Sequence, residues 1–108
     1  MAEVLQYVRS NGICPFAEWF EKLDTNAAVK VAAAIAGFEA GNPGDSKSLG
    51  HGLRERRLHF DAGYRVYFSR DGVAVIVLLA GGTKRRENAD IVRARQYLAD
   101  YLLRKKEA

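Results

Sequence analysis

Arg57, His59, Arg65, Tyr67 and Lys84 are side chains that could act together on one anionic substrate. Guanidinium groups grip phosphate oxygens bidentately, an aromatic ring stacks on an unpaired base, and an imidazole moves protons near neutral pH. With a lysine cation added, these are the parts for metal-free RNA cleavage. In that reaction a 2′-hydroxyl attacks the adjacent phosphate and a base removes its proton. Cations stabilise the pentacovalent dianion, and an acid protonates the leaving 5′-oxygen. The same residues admit a plainer reading. Glu55 and Arg57 would then be a surface ion pair, His59 and Arg65 a solvated cross-strand pair, and Tyr67 simply a good strand former.

The elements that must position these groups lie between Gly52 and Lys84. Two alternating runs joined by Asp61-Ala62-Gly63, and a nearly all-apolar run after Asp71-Gly72, predict a three-stranded antiparallel meander. A three-residue loop would pair Phe60 with Tyr64, His59 with Arg65, Leu58 with Val66, Arg57 with Tyr67 and Arg56 with Phe68. Alternation then sends Leu58, Phe60, Tyr64, Val66 and Phe68 to a buried face. Glu55, Arg57, His59, Arg65 and Tyr67 go to the other, which is expected to be exposed and cationic. Arg56 falls on the apolar face, so either it snorkels past the sheet edge or a bulge shifts the register.

Upstream, Glu3 to Val8 reads as a first strand closed by Arg9-Ser10-Asn11-Gly12. Pro15 suits the opening turn of an amphipathic helix carrying Phe16, Trp19, Phe20 and Leu23. Asp24-Thr25-Asn26 offers N-cap chemistry for a second helix, with Ala27, Val31, Ala34, Ile35 and Phe38 on one stripe, ending near Gly41. The two helices should form a hairpin covering one side of the sheet. Asn42 to His51 lacks apolar periodicity and reads as a connecting loop carrying Lys47 and His51. Gly81-Gly82-Thr83 should break the last strand before a final helix, with Glu87 and Asp90 in its first turn and a buried stripe of Ile91, Ala94, Leu98 and Leu102.

With 108 residues, 48% of them hydrophobic and 28% charged, the chain is expected to form a single α+β domain over positions 1–108. The formal charge of +4 is unevenly spread: positions 1–50 hold 4 basic and 6 acidic side chains, positions 51–108 hold 13 and 7. A basic half of this kind suits a polyanion or an acidic protein partner. One cysteine, Cys14, excludes a disulfide framework and a cysteine cage for a metal. Cys14, His51 and His59 have no metal-ligand spacing, so no metal or cofactor is expected. Gly81-Gly82-Thr83-Lys84 lacks the spacing of a nucleotide-binding loop. The first residues do not have the plan of a secretory signal and the longest apolar run, Val73 to Ala80, is too short to span a bilayer, so a cytoplasmic location is expected.

Four motifs follow one another in order: K-x-L-x-x-G-L-x-E-x-R from Lys47 to Arg57, G-Y-R-V-Y-F from Gly63 to Phe68, L-L-x-G-G-x-K from Leu78 to Lys84, and D-I-x-x-A from Asp90 to Ala94. In these the chain resembles the RelE/ParE toxin superfamily, in its HigB-like, phage-derived addiction-module branch. The resemblance implies a β-α-α-β-β-β-α fold. It also implies a toxin held in check by an antitoxin, commonly a helix-turn-helix protein, and metal-free cutting of mRNA on the ribosome. By that likeness Arg65 clamps the transition state, Lys84 is the cation or acid, and Arg57 contacts phosphate or ribosomal RNA. Arg85, beside Lys84, joins the substrate-contacting set with Glu55, Tyr67 and Asp90. Two positions depart from the pattern. His59 stands about where RelE has a lysine proposed as base, and Asp90 about where RelE has a stacking tyrosine. The base stays open among His59, Asp90 and Glu55, with Tyr67 as an alternative stacking residue. The resemblance extends to two other readings, a ParE-like inhibitor of DNA gyrase without catalysis and a nontoxic nucleic-acid-binding prophage remnant.

Overall fold

The computed structural model describes residues 2–108. Strand β1 (Glu3–Gln6) leads to helices α1 (Pro15–Glu21) and α2 (Thr25–Glu39), then to strands β2 (Ser46–Gly50), β3 (Leu53–Leu58), β4 (Tyr64–Asp71) and β5 (Val75–Thr83), and finally to helix α3 (Glu87–Glu107). The strands form one mixed sheet in the order β1-β5-β4-β3-β2, with β1 parallel to β5 and every other pair antiparallel. The fold is α+β.

Local chemistry explains the helix starts. Pro15 occupies the first turn of α1, where its missing N–H is not needed. The carboxylate of Asp24 accepts from the Ala27 amide at 2.9 Å and caps α2. Both helices lie on one face of the sheet, where Phe16, Val31, Ala34 and Phe38 join Leu58, Val66, Phe68, Ile76 and Leu78 in a single apolar cluster.

Residues 42–51, expected to be a loop, contain β2, which pairs antiparallel to β3. Its Lys47 and Ser48 are exposed, and an edge strand with so little buried surface shows no alternation to read. The β3–β4 hairpin is also longer than expected. Leu58, not Phe60, pairs with Tyr64, and the loop is His59 to Gly63, with Asp61 at φ 45° and Gly63 at φ 71°. The register has slipped by an even number of residues, so each side chain keeps its face. The cross-strand partners change: Arg57 now stands opposite Arg65, and Glu55 opposite Tyr67. Arg56 needs no bulge in this hairpin, for its guanidinium folds outward over the turn at Gly44 and donates to the Arg57 carbonyl.

The main correction concerns the second face. It was expected to be open, yet α3 lies across much of it. Leu53, Tyr67, Val77, Leu79 and Ala80 pack against Ala94 and Leu98 of α3, with Tyr7 beside them. Glu55 and Tyr67 are 0% exposed and Arg65 only 7%. The buried side of α3 runs through Asp90, Ala94 and Leu98, while Leu102 is 52% exposed.

Gly81 and Gly82 do not break β5, which continues to Thr83. They let both layers come close. A Cβ on Gly81 would sit 2.1 Å from the Trp19 ring of α1, and one on Gly82 would sit 1.9 Å from Oδ2 of Asp90 in α3. No helix among the described residues is long and apolar enough to cross a membrane.

Candidate active site

Helix α3 begins only after a single turn, Lys84–Arg86, that follows β5. Around its first residue, Glu87, the α3-side face of the sheet opens into a cleft of about 640 Å³. β3 brings Glu55 and Arg57 to this cleft, β4 brings Arg65, and β2 brings Lys47. The His59–Gly63 loop forms one wall and Lys84 another. The Lys84 amide donates to the Gly63 carbonyl at 2.8 Å, which ties the hairpin loop to the end of β5. Gly63 is needed there, because its φ is positive and a Cβ would lie 3.3 Å from Cβ of Lys84.

The cleft therefore gathers Glu55, Arg57, His59, Arg65 and Lys84 from the expected set. Tyr67, Asp90 and Arg85 do not line it. The ring of Tyr67 is enclosed beneath α3, so it presents no face to a base, and burial above all raises its phenol pKa. Asp90 is 6% exposed and accepts from Arg93 at 2.9 Å. It lines a separate cleft of about 460 Å³ between α1 and α3, with Trp19 and Arg86. Arg85 is exposed on the turn between the two clefts.

Glu55 is the unusual group. Neither carboxylate oxygen has a hydrogen-bond partner among the described residues. Burial, and then the neighbouring Glu87 carboxyl, push its pKa up, and the charges of Arg65 and Lys47 oppose this without overcoming it. The result is a carboxyl that holds its proton more tightly than an ordinary glutamate, with the cations of Arg65 and Lys47 beside it. Nε of Arg57 and Nε of Arg65 are likewise buried without partners. Such unsatisfied groups are costly in a core and common where a ligand completes the set.

Asp45, Lys47 and Glu87 complete the site. Lys47 was visible as part of a motif and Glu87 as a helix-start acid, but their place in the cleft was not. Asp45 gave no signal, because only the β2–β3 pairing brings it near. Its carboxylate accepts from Nη2 of Arg57 at 2.8 Å and contacts Nε2 of His59. Those two bonds, that of His59 first, lower the Asp45 pKa to about 2, and the bond to Asp45 raises that of Arg57. No group of three or more His, Cys, Asp and Glu residues among the described residues is placed to hold a metal ion.

No family model matches the chain. A protein of Haemophilus influenzae, described as an uncharacterized protein, is 37% identical to it over 81 residues, which are 74% of this chain and 82% of the relative. The chain belongs to the same family as this Haemophilus protein. Membership brings no stated activity with it, and the chemistry open to this chain's cleft rests on its own side chains. They can bind a phosphate-bearing ligand with Arg57, Arg65, Lys47 and Lys84, and can exchange protons through Glu55 and His59.

Proposed function

We propose that the protein is a small toxin that cuts mRNA on the ribosome by metal-free phosphodiester transfer, and that its fold is of the RelE/ParE kind. The observation that carries this reading is the convergence of Arg57, Arg65 and Lys84 around the buried, unpartnered carboxyl of Glu55 in one open cleft. The arginines and Lys84 neutralise the phosphate as it gains charge in the transition state. The 2′-oxygen attacks phosphorus as its proton leaves to a base, the bond to the 5′-oxygen breaks, and that oxygen takes a proton from an acid. The products are a 2′,3′-cyclic phosphate and a free 5′-hydroxyl. Glu55 and His59 serve as the proton carriers on this reading, and Tyr67 and Asp90, which lie outside the cleft, take no part in proton transfer. On this reading the protein works in the cytoplasm and is silenced by a helix-turn-helix antitoxin that covers the cleft.

The test is to induce the protein in cells and map mRNA 5′ ends with translation running and with translation blocked. Cuts that follow the reading frame and vanish when translation stops are the expected result. Intact mRNA during growth arrest, with filamentation and a DNA-damage response, would overturn it in favour of an action on gyrase. Lys84→Ala changes an exposed side chain, so it should leave the melting temperature in place and abolish growth arrest. Arg65→Ala should abolish it as well. Full toxicity in both variants would remove this cleft as the site.

A further inference from the structure

His59 sits in the hairpin loop outside the β3–β4 ladder, and its side chain is 66% exposed. Among the described residues the ring makes no hydrogen bond within the loop. Its partner comes from Asp45, the residue just before β2. The carbonyl of Asp45 accepts from the Arg57 amide at 2.9 Å, which extends the β2–β3 ladder by one rung and anchors the Asp45 backbone. The turn before it is held as well: the Gly44 amide donates to the Asn42 side chain at 3.1 Å, and the Ser46 hydroxyl donates to the Pro43 carbonyl at 2.6 Å. From this anchored position one carboxylate oxygen holds Arg57 and the other takes Nε2 of His59.

We infer that Asp45 is a positioning residue for His59: it occupies Nε2, so that Nδ1 is the ring nitrogen that exchanges protons with a ligand in the cleft. A carboxylate accepts and cannot donate, so Nε2 must carry the hydrogen in either charge state of the ring. In the neutral ring Nδ1 is then a bare lone pair, able to act as a base. In the charged ring Nδ1 is an N–H, able to act as an acid. The orienting partner thus determines which atom works, as second partners of functional histidines commonly do. Arg57, held by the same carboxylate, is fixed relative to that atom.

This inference rests on the proposed RNA-cutting reading only for its consequence, and the chemical test does not need RNA. The intact protein, carrying His51→Gln so that His59 is its one histidine, is treated with iodoacetate, a small anion suited to the cationic cleft. The two carboxymethylhistidine isomers are then separated after hydrolysis. The expected result is mainly the Nδ1 product from the protein with Asp45 and mainly the Nε2 product from Asp45→Ala. Predominance of the Nε2 product with Asp45 present, or an unchanged isomer ratio in Asp45→Ala, would overturn the inference. If the alanine variant fails to fold, the first comparison still decides. In the RNA-cutting assay, Asp45→Ala should lower the rate at saturating substrate by about ten- to a hundredfold, the usual effect of losing an orienting partner. A protein that gives the Nδ1 product but cuts no RNA would leave the positioning role standing and sink the proposed function instead.

Discussion

The two faces of the sheet are built from the same strands, yet they are filled differently. The face under α1 and α2 is closed with apolar groups, among them Phe38 and Phe68 with ring centroids 4.7 Å apart. The face under α3 has an apolar cluster too, but it also holds the buried polar residues Glu55, Arg65, Ser69 and Asp90. Ser69 is satisfied by the Gly52 carbonyl at 2.7 Å, whereas Glu55, Arg65 and Asp90 each keep a buried atom without a partner among the described residues; on the first face the one such atom is Nε of the half-buried Arg54, opposite Phe68. One face is organised for stability. The other gives up stability to keep charges in place, which is the pattern expected where groups await a ligand.

The largest test of this contrast is Phe38→Ala on the first face. Removing a fully buried ring from a packed cluster should cost about 3–5 kcal/mol, measured by urea unfolding. A loss under about 1 kcal/mol, on the scale of a surface change, would mean that this face is not the stabilising one.

The adjacent glycines of β5 compare the faces at a single point. Gly81→Ala drives a Cβ into the Trp19 ring, which is hemmed in by Phe16 and Tyr64 at centroid distances of 5.7 and 6.3 Å. Overpacking of this kind costs about 1–3 kcal/mol. Gly82→Ala meets only the tip of the short Asp90 side chain, which relieves the clash by turning one carboxylate, whereas the Trp19 ring must shift as a rigid unit although it borders the same cleft. The Gly81 variant should therefore melt at the lower temperature, and the reverse order would show that the α3 face is the more tightly packed.

Glu55→Gln tests the second face directly. The raised pKa means that the folded protein holds the Glu55 proton more tightly than the unfolded chain does. Ionisation then favours unfolding, so the contribution of Glu55 to stability falls as pH rises above the ordinary glutamate value of 4.5 and levels off above the folded pKa. Each pKa unit of difference corresponds to about 1.4 kcal/mol. Urea midpoints measured from pH 4 to pH 8 should show the variant gaining on the wild type as pH rises, while growth arrest is weakened. A gap independent of pH would contradict the burial of an ionisable carboxyl here.

Which parts were legible in the sequence follows from the same contrast. The first face was readable because Leu58, Val66 and Phe68 alternate cleanly, and because Asp24 and Pro15 mark helix starts. The even slip in register left that alternation intact, although it removed the expected pairing of His59 with Arg65. The second face misled because Glu55, Arg57 and Arg65 at alternate positions imitate a solvent-facing strand. No local pattern announces that a distant helix will roof charged residues. Ser46–Gly50 was unreadable for a related reason, since an edge strand buries too little to need apolar residues, and Asp45 went unseen with it.

Tyr67→Phe carries the smallest expected change and separates two accounts of the buried polar groups. The Tyr67 hydroxyl is buried and has no partner among the described residues. Deleting it breaks no protein hydrogen bond and removes a desolvated polar group, so stability should stay level or rise by up to about 1 kcal/mol. The ring is fully buried in the cluster that holds Leu53, Leu79 and Leu98, so growth arrest should persist. Lost toxicity at unchanged stability would place Tyr67 in contact with substrate after all. The roof formed by α3 would then have to lift during the reaction, and the difference between the two faces would be one of motion as well as of charge.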